Sequence, residues 1–396
     1  MLTAQQTDDT VRVFKQLDPV QVNFIYGYYE QDGVHSPVTG GIGDEELTDN
    51  VGKITVNIPV SKSISISLLG GIDYYTSAST DNINNEHDFY VETSASRADS
   101  RKYGDLGIQA KNEKRRFVVG INGGFSEEWD VSSRNAGLFV AKESKNKNRQ
   151  FKLSTSYYRD DWDLIYPEEL RKNKVGDQEL LPTNIRHLYD GALTYVQIIN
   201  KRMKAALTVE AVYQQGLLST PFHRVYFTDT ISHDIERLPD SRFKLPLGLH
   251  VNYKVNDFLI TRLYYRFYLD DFGIKAHTID MEYPLKVFKF LTVSPFYRFH
   301  IQTSAKYFAP FAQHIQDDVY YTSDYDLAEF MAHKYGVGLK YAPLFGLFKS
   351  KVPLTKKTEL KFKKVEVRVA KYNRLIDNET VLKAFSLTGY ITFEIQ

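Results

Sequence analysis

Residues 64–75 read Ile-Ser-Ile-Ser-Leu-Leu-Gly-Gly-Ile-Asp-Tyr-Tyr, and their side chains alternate between apolar and polar with a period of two. In an extended strand, successive side chains point to opposite faces of the sheet. One face therefore carries Ile64, Ile66, Leu68, Ile72 and Tyr74, and the other carries Ser65, Ser67, Asp73 and Tyr75. This pattern predicts a strand with one apolar and one polar face.

The same alternation recurs along most of the chain, from Val20 to Ile395. In residues 205–213 the alternate positions are apolar while the intervening positions include Thr208 and Glu210, and residues 385–395 repeat the pattern. Strands of about ten residues with an apolar outer face and a polar inner face, repeated many times, are typical of barrels in outer membranes. The sequence therefore predicts an all-β fold, a transmembrane antiparallel up-and-down β-barrel.

Length and composition favour one barrel over several soluble domains. The chain has 396 residues but shows no composition break, linker or low-complexity tract. Its 28 Tyr and 25 Phe, against 2 Trp, suit the girdles of amphipathic rings at the two membrane interfaces. No run approaches about 18 consecutive apolar residues, so no helical membrane span is expected. The mean hydropathy of −0.38 fits a barrel, because only the outward half of each strand must be apolar.

Charge and cysteine content exclude several classes of function. The net charge of +1 gives no electrostatic reason to expect nucleic acid as a partner. The absence of cysteine removes disulfides, thiol catalysis and cysteine-based metal sites. We expect no cofactor, and we expect membrane lipid as the main surrounding of the protein.

The start of the chain is expected to be processed. Barrels reach the outer membrane through a secretory signal peptide, and the residues before Gln5 are too few to form its hydrophobic segment. We interpret Thr3 and Ala4 as the end of a small-residue cleavage site. Residues 1–18 are then expected to be a periplasmic tail, and residues 19–396 the outer-membrane barrel.

Polar connections between the predicted strands fall into two kinds. The short ones are 61–63, 112–114, 145–148, 200–202, 256–257, 288–289 and a longer one at 345–357. The long ones are 31–49, 77–98, 126–134, 160–187, 216–241, 270–274, 303–332 and 373–381. Strict alternation of the two kinds predicts about sixteen strands, with short periplasmic turns, long extracellular loops and both termini in the periplasm. Counts of about fourteen or eighteen strands stay open. A break in alternation at Lys363 and Lys364 predicts a β-bulge.

A barrel of this size is wide enough to leave an aqueous lumen unless something fills it. Strands between residues 258 and 302 place charged side chains on the predicted inner face. The candidate lumen or constriction residues are Arg262, Arg266, Asp280, Glu282, Arg298 and His300. Two interpretations stay open. They form a charged constriction that selects small polar or ionic solutes, or a cross-strand ladder in which the arginines neutralise the carboxylates.

The loop at 303–332 is rich in aromatic side chains. They are Tyr307, Phe308, Phe311, Tyr320, Tyr321, Tyr325 and Phe330. So many rings are not expected in a merely solvated loop, so they either fold inward as a plug or meet a partner.

Several loop motifs resemble those of a known family. They are His-Ser-Pro-Val-Thr-Gly-Gly-Ile-Gly-Asp-Glu-Glu-Leu-Thr at 35–48, Tyr-Tyr-Thr-Ser-Ala-Ser-Thr-Asp at 74–81, Ser-Ala-Ser-Arg-Ala-Asp-Ser-Arg at 94–101 and Lys-Asn-Glu-Lys at 111–114. The chain resembles an uncharacterised outer-membrane family of Bacteroidota, known only as domain of unknown function number 3570. The resemblance covers most of the chain and is strongest before residue 172. It implies the location and the fold, and it brings no catalytic residues.

The first of these motifs has a physical meaning of its own. Gly40, Gly41 and Gly43 permit positive φ, so the first long loop can fold tightly. We expect it to pack against the compact segments 76–81 and 94–101, in the mouth of the barrel. Phosphate binding is not expected, because the glycine run lacks the Lys-Ser/Thr ending of a P-loop and opens no helix.

Enzymatic interpretations find little support in the sequence. Ser232, His233 and Asp234 are adjacent, but neighbouring side chains point in different directions. His250 and His300 are expected to face the lumen, and neither has a serine at a spacing that singles out a nucleophile. We expect the protein not to be an enzyme.

A metal site is not expected either. Oxygen ligands for a hard cation could come from Asp160, Asp161, Asp163, Glu168 and Glu169. Because this segment lacks a ligand cycle with a turn glycine, a solvated acidic loop explains it better.

Two functions are consistent with these features. The first is a porin-like channel for small polar solutes or ions, although the bulky inward residues Tyr264, Tyr268, Phe296 and Tyr390 narrow the bore. The second is a closed barrel that serves as an accessory subunit of a larger assembly, whose long loops meet other outer-membrane proteins or lipoproteins.

Overall fold

The structure is a computed structural model and describes residues 17–76, 98–170, 180–229, 232–343, 351–355 and 358–395. Antiparallel strands dominate these residues. In chain order they are β1 (Val20–Gly33), β2 (Leu47–Pro59), β3 (Ile64–Thr76), β4 (Ala98–Asn112), β5 (Phe117–Glu127), β6 (Val131–Glu143), β7 (Arg149–Trp162), β8 (Ile185–Ile198), β9 (Met203–Gly216), β10 (Arg224–Tyr226), β11 (His233–Ile235), β12 (Ser241–Lys254), β13 (Ile260–Asp270), β14 (Lys275–Glu282), β15 (Leu285–Phe288), β16 (Leu291–Gln302), β17 (Phe330–Tyr341), β18 (Lys351–Thr355), β19 (Thr358–Ile376) and β20 (Glu379–Ile395).

Helical structure in the described residues is limited to three short 3-10 turns. They are Pro37–Thr39, Glu168–Leu170 and Tyr325–Leu327. None of the helices in this part of the chain is long and apolar enough to cross a membrane.

The sheet closes on itself, so the protein is an antiparallel sixteen-stranded barrel. The first strand, β1, pairs with β2 on one side and with the last strand, β20, on the other, where Val20 lies opposite Ile395. β14 and β15 follow one another along β16 and fill one strand position. β17 and β18 likewise share one position beside β19. β10 and β11 form a separate hairpin outside the barrel sheet. The predicted fold class and strand number are confirmed.

The two faces of the wall follow the predicted alternation. On β3, the apolar residues Ile64, Leu68, Ile72 and Tyr74 are all exposed on the outer face. Residues paired across strands share a face, so the register carries this apolar surface around the barrel. It includes Ile121 on β5, whose side chain is 61% exposed in the isolated chain. An exposed apolar belt on a closed barrel is the surface that lipid covers.

Tyrosine and histidine side chains form polar-tipped pairs on this outer face. Their ring nitrogens and hydroxyls lie within hydrogen-bond distance in the pairs Tyr157–His187, Tyr265–His277 and Tyr297–His333, at 2.9, 2.8 and 2.7 Å. Rings with one apolar body and one polar tip suit the membrane–water interface.

Three of the eight predicted long loops are tight turns, so the expected strict alternation of lengths is wrong. β5 and β6 are joined by 128–130, β13 and β14 by 271–274, and β19 and β20 by Asp377 and Asn378. Asp377 and Asn378 both adopt positive φ, 50° and 67°, which favours a two-residue hairpin. Asn and Asp are common in long loops and in tight turns alike, which is why composition does not separate the two.

The bulge predicted at Lys363 and Lys364 is present. The pairing of β19 with β20 shifts register between Phe362 and Lys364. Lys363 bonds to Glu394 of β20, with Nζ and Oε2 2.9 Å apart.

The long loops at one end of the barrel pack against one another, and we call them the loop assembly. It comprises the described residues of 34–46, 163–184, 217–240, 271–274 and 303–329. Its apolar clusters centre on Ile235, on Val225 with Tyr321, and on Phe272. The most deeply buried side chains of the described chain lie in this assembly rather than in the barrel wall.

Candidate functional site in the barrel lumen

The residues predicted to line the lumen share one face of three neighbouring strands. β13 carries Arg262 and Arg266, β14 carries Asp280 and Glu282, and β16 carries Arg298 and His300. Pairing places Arg262 opposite Glu282, and Asp280 opposite Arg298. This face is the concave one, because Arg368 of β19 reaches Glu282 past β16 and β17, with Nη1 and Oε1 3.3 Å apart.

Two of the predicted arginines form cross-strand ion pairs. Arg298 donates to Asp280 Oδ2 from Nε at 2.8 Å and from Nη2 at 2.6 Å. Arg262 Nη1 lies 3.4 Å from Glu282 Oε1. Both arginine side chains are about half exposed, 50% and 51%. Exposed pairs of this kind add little to stability, so their main effect is to fix where the charges sit in the lumen.

The other two predicted residues stay outside this ladder. Arg266 lies over the ring of Tyr268, 5.9 Å from its centroid, and has no ion pair within the described chain. His300 contacts Thr278 through Nδ1 at 2.8 Å and Gln302 through Nε2 at 3.2 Å. The imidazole is thus held in the wall by hydrogen bonds.

Further cations of the lumen were not predicted from the sequence, and Arg368 and Lys334 are two of them. Arg368 bridges Glu282 and Glu366, at 3.3 Å from each, and stacks over Phe296. Lys334 of β17 has no ion pair among the described residues. The charged residues at 364, 366 and 368 alternate with valines, and this pattern could have indicated that Arg368 faces the lumen. Lys334 has polar neighbours on both sides, so the sequence does not show which face of β17 is the inner one.

Three polar cavities follow one another down the inner side of β20. The cavity next to the loop assembly, which we call the outer cavity, has a volume of about 390 Å³ and is lined by β20 residues 382–386. The middle cavity, about 370 Å³, is lined by residues 386–390 of that strand, and the inner cavity, about 440 Å³, by residues 390–392. Outer and middle cavities share Lys334 and Ser386, so they adjoin. Middle and inner cavities share Glu282, Arg368 and Tyr390.

The charges along these cavities are mixed, and the middle one is richer in cations. Its ionisable lining residues are Asp280, Glu282, Arg298, Lys334 and Arg368. The outer cavity has Glu45 and Asp326 with Lys334 and Arg374. The inner cavity has Glu282 and Glu366 with Lys364 and Arg368. The excess positive charge therefore lies midway along the series.

The loop assembly touches the inner wall at the outer cavity. Asp326 pairs with Arg374 of β19, and Gln302 of β16 donates to the carbonyl oxygens of Asp326 and Ala328 at 2.9 and 2.8 Å. Glu45, from the first loop, lines the same cavity. Burial raises the pKa of Glu45 to about 7, so its charge changes near neutral pH.

Most rings predicted in loop 303–332 are packed against other loops. Tyr321 and Phe330 are only 4% and 8% exposed. The others contact rings as follows: Tyr307 meets Phe272, Phe308 meets Tyr325, Phe311 meets Tyr226, and Tyr325 stacks on His35. Tyr320 contacts Tyr307 but remains 42% exposed. Most of these rings are therefore packed within the loop assembly.

The first long loop packs against the same neighbours. Gly40 and Gly41 adopt φ of 85° and 88°, and a Cβ on either would clash with Tyr226 or Tyr325. The buried Arg224 donates to the Val38 carbonyl at 2.7 Å. Of the partners expected for this loop, most of 76–81 and 94–101 lies outside the described residues.

The adjacent residues Ser232, His233 and Asp234 point to different partners. Ser232 Oγ donates to Asp229 and accepts from Gln316. His233 stacks against Tyr226, and Asp234 accepts from Tyr321. They do not form a catalytic arrangement with one another.

The acidic residues near 160 also separate. Asp160 pairs with Arg186, and Asp161 with Arg159. Glu169 binds the buried Arg224, with Oε1 and Nε 2.6 Å apart. Burial opposes the ionisation of Glu169, but hydrogen bonds from His233 and Arg224 outweigh it and lower its pKa to about 2.

A closed sheet, an apolar outer belt and a polar inner wall define the chain as an outer-membrane-type β-barrel. Its sequence matches, over residues 3–390, the family described as "Protein of unknown function (DUF3570)". The chain belongs to that family, as its loop motifs predicted.

Solved structures with a similar fold are outer-membrane barrels at low sequence identity. A bacterial polysaccharide outer membrane secretin is 9% identical with a TM-score of 0.48, over 96% of this chain and 100% of that one. OccK2 (OpdF) of Pseudomonas aeruginosa, in complex with glucuronate, is 9% identical with a TM-score of 0.41, over 95% and 98%. CdiB from Acinetobacter baumannii is 8% identical with a TM-score of 0.46, over 94% and 60%. No curated protein matches the chain.

Proposed function

We propose that this barrel is a porin-like channel that lets small polar solutes or ions cross the outer membrane, with no enzymatic step. The observation that carries the proposal is the series of three adjoining polar cavities along β20. Their lining residues run from the loop assembly at Asp326 to Thr392, near the periplasmic end of the strand. A charged path of this kind selects solutes by size and by sign of charge.

Single-channel recording in a planar bilayer tests the proposal. Purified barrel, refolded and checked for folded mobility on gels, should give steady ionic steps. A folded barrel that stays silent at all potentials would contradict the channel. Neither result depends on knowing the solute.

Blocking the path locally tests whether solutes follow the cavities. Ser386 lines both the outer and the middle cavity, so Ser386→Trp should lower the conductance by obstructing their junction. Ser156 faces the lumen from β7 and lines none of the three cavities, so Ser156→Trp is the matched control. Equal losses in both variants would show that ions use the whole lumen rather than this series.

The aromatic loop is proposed to narrow the channel from above. Replacing residues 304–328 with a short Gly-Ser turn removes Asp326 from the outer cavity and should raise conductance while the barrel stays folded. Unchanged conductance with a folded barrel would rule out a plug.

An accessory role in an outer-membrane assembly is the second candidate. Exposed apolar side chains at one tip of the loop assembly support this role. Ile315, Val319 and Tyr320 lie close together in sequence and are 53%, 71% and 42% exposed. Such apolar exposure is typical of contact surfaces. Ile315→Ser with Val319→Ser should then release co-purified outer-membrane proteins or lipoproteins at native expression, and leave conductance unchanged. An origin in the Bacteroidota, implied by the family resemblance, stays a prediction.

A further inference from the structure

We infer that the loop assembly contains a binding site for a divalent transition metal, formed by His223, Glu236 and Asp324. One ligand atom from each lies within 4.8 Å of the others. His223 and Glu236 flank the β10–β11 hairpin, and Asp324 comes from the aromatic loop, so the site joins two loops. The proposal goes beyond the channel and does not depend on it.

Both carboxylates are held in place by other hydrogen bonds. Glu236 is 2% exposed and accepts from the Thr220 backbone at 2.7 Å and from the Thr322 hydroxyl. Asp324 accepts from the Asp326 backbone at 2.8 Å, as the cap of the 3-10 turn at 325–327. Residues that orient ligands from behind are a common feature of metal sites.

The imidazole of His223 supplies the observation that points to a ligand. Its Nδ1 is buried, has no hydrogen-bond partner in the described chain, and lies 3.8 Å from Glu236 Oε1. That separation is too long for a hydrogen bond. It is close to the distance of about 3.4 Å between two ligands of one tetrahedral zinc, given Zn–N and Zn–O lengths of about 2.0–2.2 Å. A small inward shift would therefore bring both atoms into coordination.

Charge and ligand chemistry favour a transition metal over calcium or magnesium. Two carboxylates, from Glu236 and Asp324, lie beside one imidazole within the packed loops. A bound dication would balance this negative charge. Imidazole nitrogen suits zinc, iron, nickel or copper, whereas calcium and magnesium prefer oxygen ligands alone. The protein supplies three ligands, which leaves the fourth position of a tetrahedral shell for water.

A metal at this site would stabilise the part of the loop assembly that lines the outer cavity. Asp326, two residues after Asp324, lines the outer cavity and pairs with Arg374. A metal that joins the two loops would hold this segment against the inner wall. The alternative is an imidazolium of His223 held by the two carboxylates with no metal.

Calorimetric titration of Zn²⁺ into the full-length, refolded, chelator-treated barrel tests the inference. The expected result is one site per chain with a Kd of micromolar or tighter. His223→Gln and Asp324→Asn each remove a direct ligand and should weaken binding at least as much as the loss of about 10–100-fold that is typical of outer-shell partners. Asp318→Asn is the matched control, because Asp318 lies in the same loop and pairs with His314 outside the cluster. Absence of wild-type binding at millimolar Zn²⁺, or equal affinity in folded His223→Gln, would overturn the site.

X-ray absorption at the zinc edge keeps the test valid if a variant fails to fold. The wild-type spectrum should show one imidazole in a shell of nitrogen and oxygen ligands. A shell without imidazole would place the ion elsewhere and refute the assignment.

Discussion

Apolar side chains are buried in the loop assembly but exposed on the outer face of the barrel wall. In the loop assembly, Val225 and Ile235 are 0% exposed, and Phe272 is 1% exposed. In the wall, Ile121 and Phe151 are 61% and 54% exposed on the outer face. The wall relies on lipid to cover its apolar residues, whereas the loops, which lie in water, must cover their own. The packed core of this membrane protein is therefore outside the membrane.

The largest effect is expected from removing a ring of the loop core. Phe272 packs edge-on against Tyr307, with centroids 5.1 Å apart, and lies under Arg242. Phe272→Ala leaves a cavity and should destabilise the loop assembly by about 3–5 kcal/mol. Hydrogen exchange would detect this as a loss of amide protection in the loops, with the wall strands unaffected.

Phe151→Ala is the comparison for that variant. Its ring faces lipid, which can fill the space left by truncation, so the loss of stability should be much smaller. An equal loss in both variants, or a loss of protection that spreads to the wall, would show that loops and wall do not pack independently.

A smaller effect, of about 2–4 kcal/mol, is expected when a charge is placed in the lipid-facing belt. Ile121 faces outward on β5, and its neighbour Asn122 faces the lumen, where it donates to Asp105 at 3.0 Å. Ile121→Arg should lower the free energy of unfolding in lipid vesicles, measured by urea titration. Asn122→Arg should be tolerated, because that side chain is in water. Equal tolerance of both substitutions would mean that the assignment of faces is wrong.

This contrast also explains how much the sequence could predict. A period of two is imposed on the wall by lipid on one side and water on the other, so strands, faces and the pairing of Arg298 with Asp280 follow from it. No such period governs loops. His223 and Asp324 meet only because two loops fold together, and no local pattern indicates that contact. Lys334 was missed for a related reason, because His333 on the outer face is also polar and bonds to Tyr297.

Removing a charge from the inner wall tests how the channel selects between anions and cations. Lys334 has no paired carboxylate in the described chain, so Lys334→Gln removes one positive charge where the outer and middle cavities meet. A unit charge at about 10 Å in water changes an ion's energy by about 0.4 kcal/mol, which is about twofold in occupancy. The anion-to-cation permeability ratio, from reversal potentials in a salt gradient, should fall by about that factor.

Arg298→Gln and Arg262→Gln should shift selectivity in the same direction, because each leaves a carboxylate of the lumen less neutralised. Lys62→Gln, in the exposed turn between β2 and β3 at the end of the barrel away from the loop assembly, controls for charge removed outside the lumen. Unchanged selectivity in all three lumen variants would favour a sealed barrel.

The smallest effect is expected from pH, through Glu45 at the outer cavity. Burial raises its pKa from 4.5 to about 7, so the carboxylate becomes neutral as pH falls from 8 to 6 and the mouth of the path loses a negative charge. The permeability ratio should shift toward anions over that range, by less than about twofold. Because the folded protein favours the neutral form of Glu45, this group's contribution to the stability of the fold is present in full below about pH 4.5. It is lost as pH rises through about 7. Glu45→Gln should therefore abolish the pH step in selectivity and raise loop protection at pH 8. A step that persists in Glu45→Gln would assign it to another group and separate the first loop from the path.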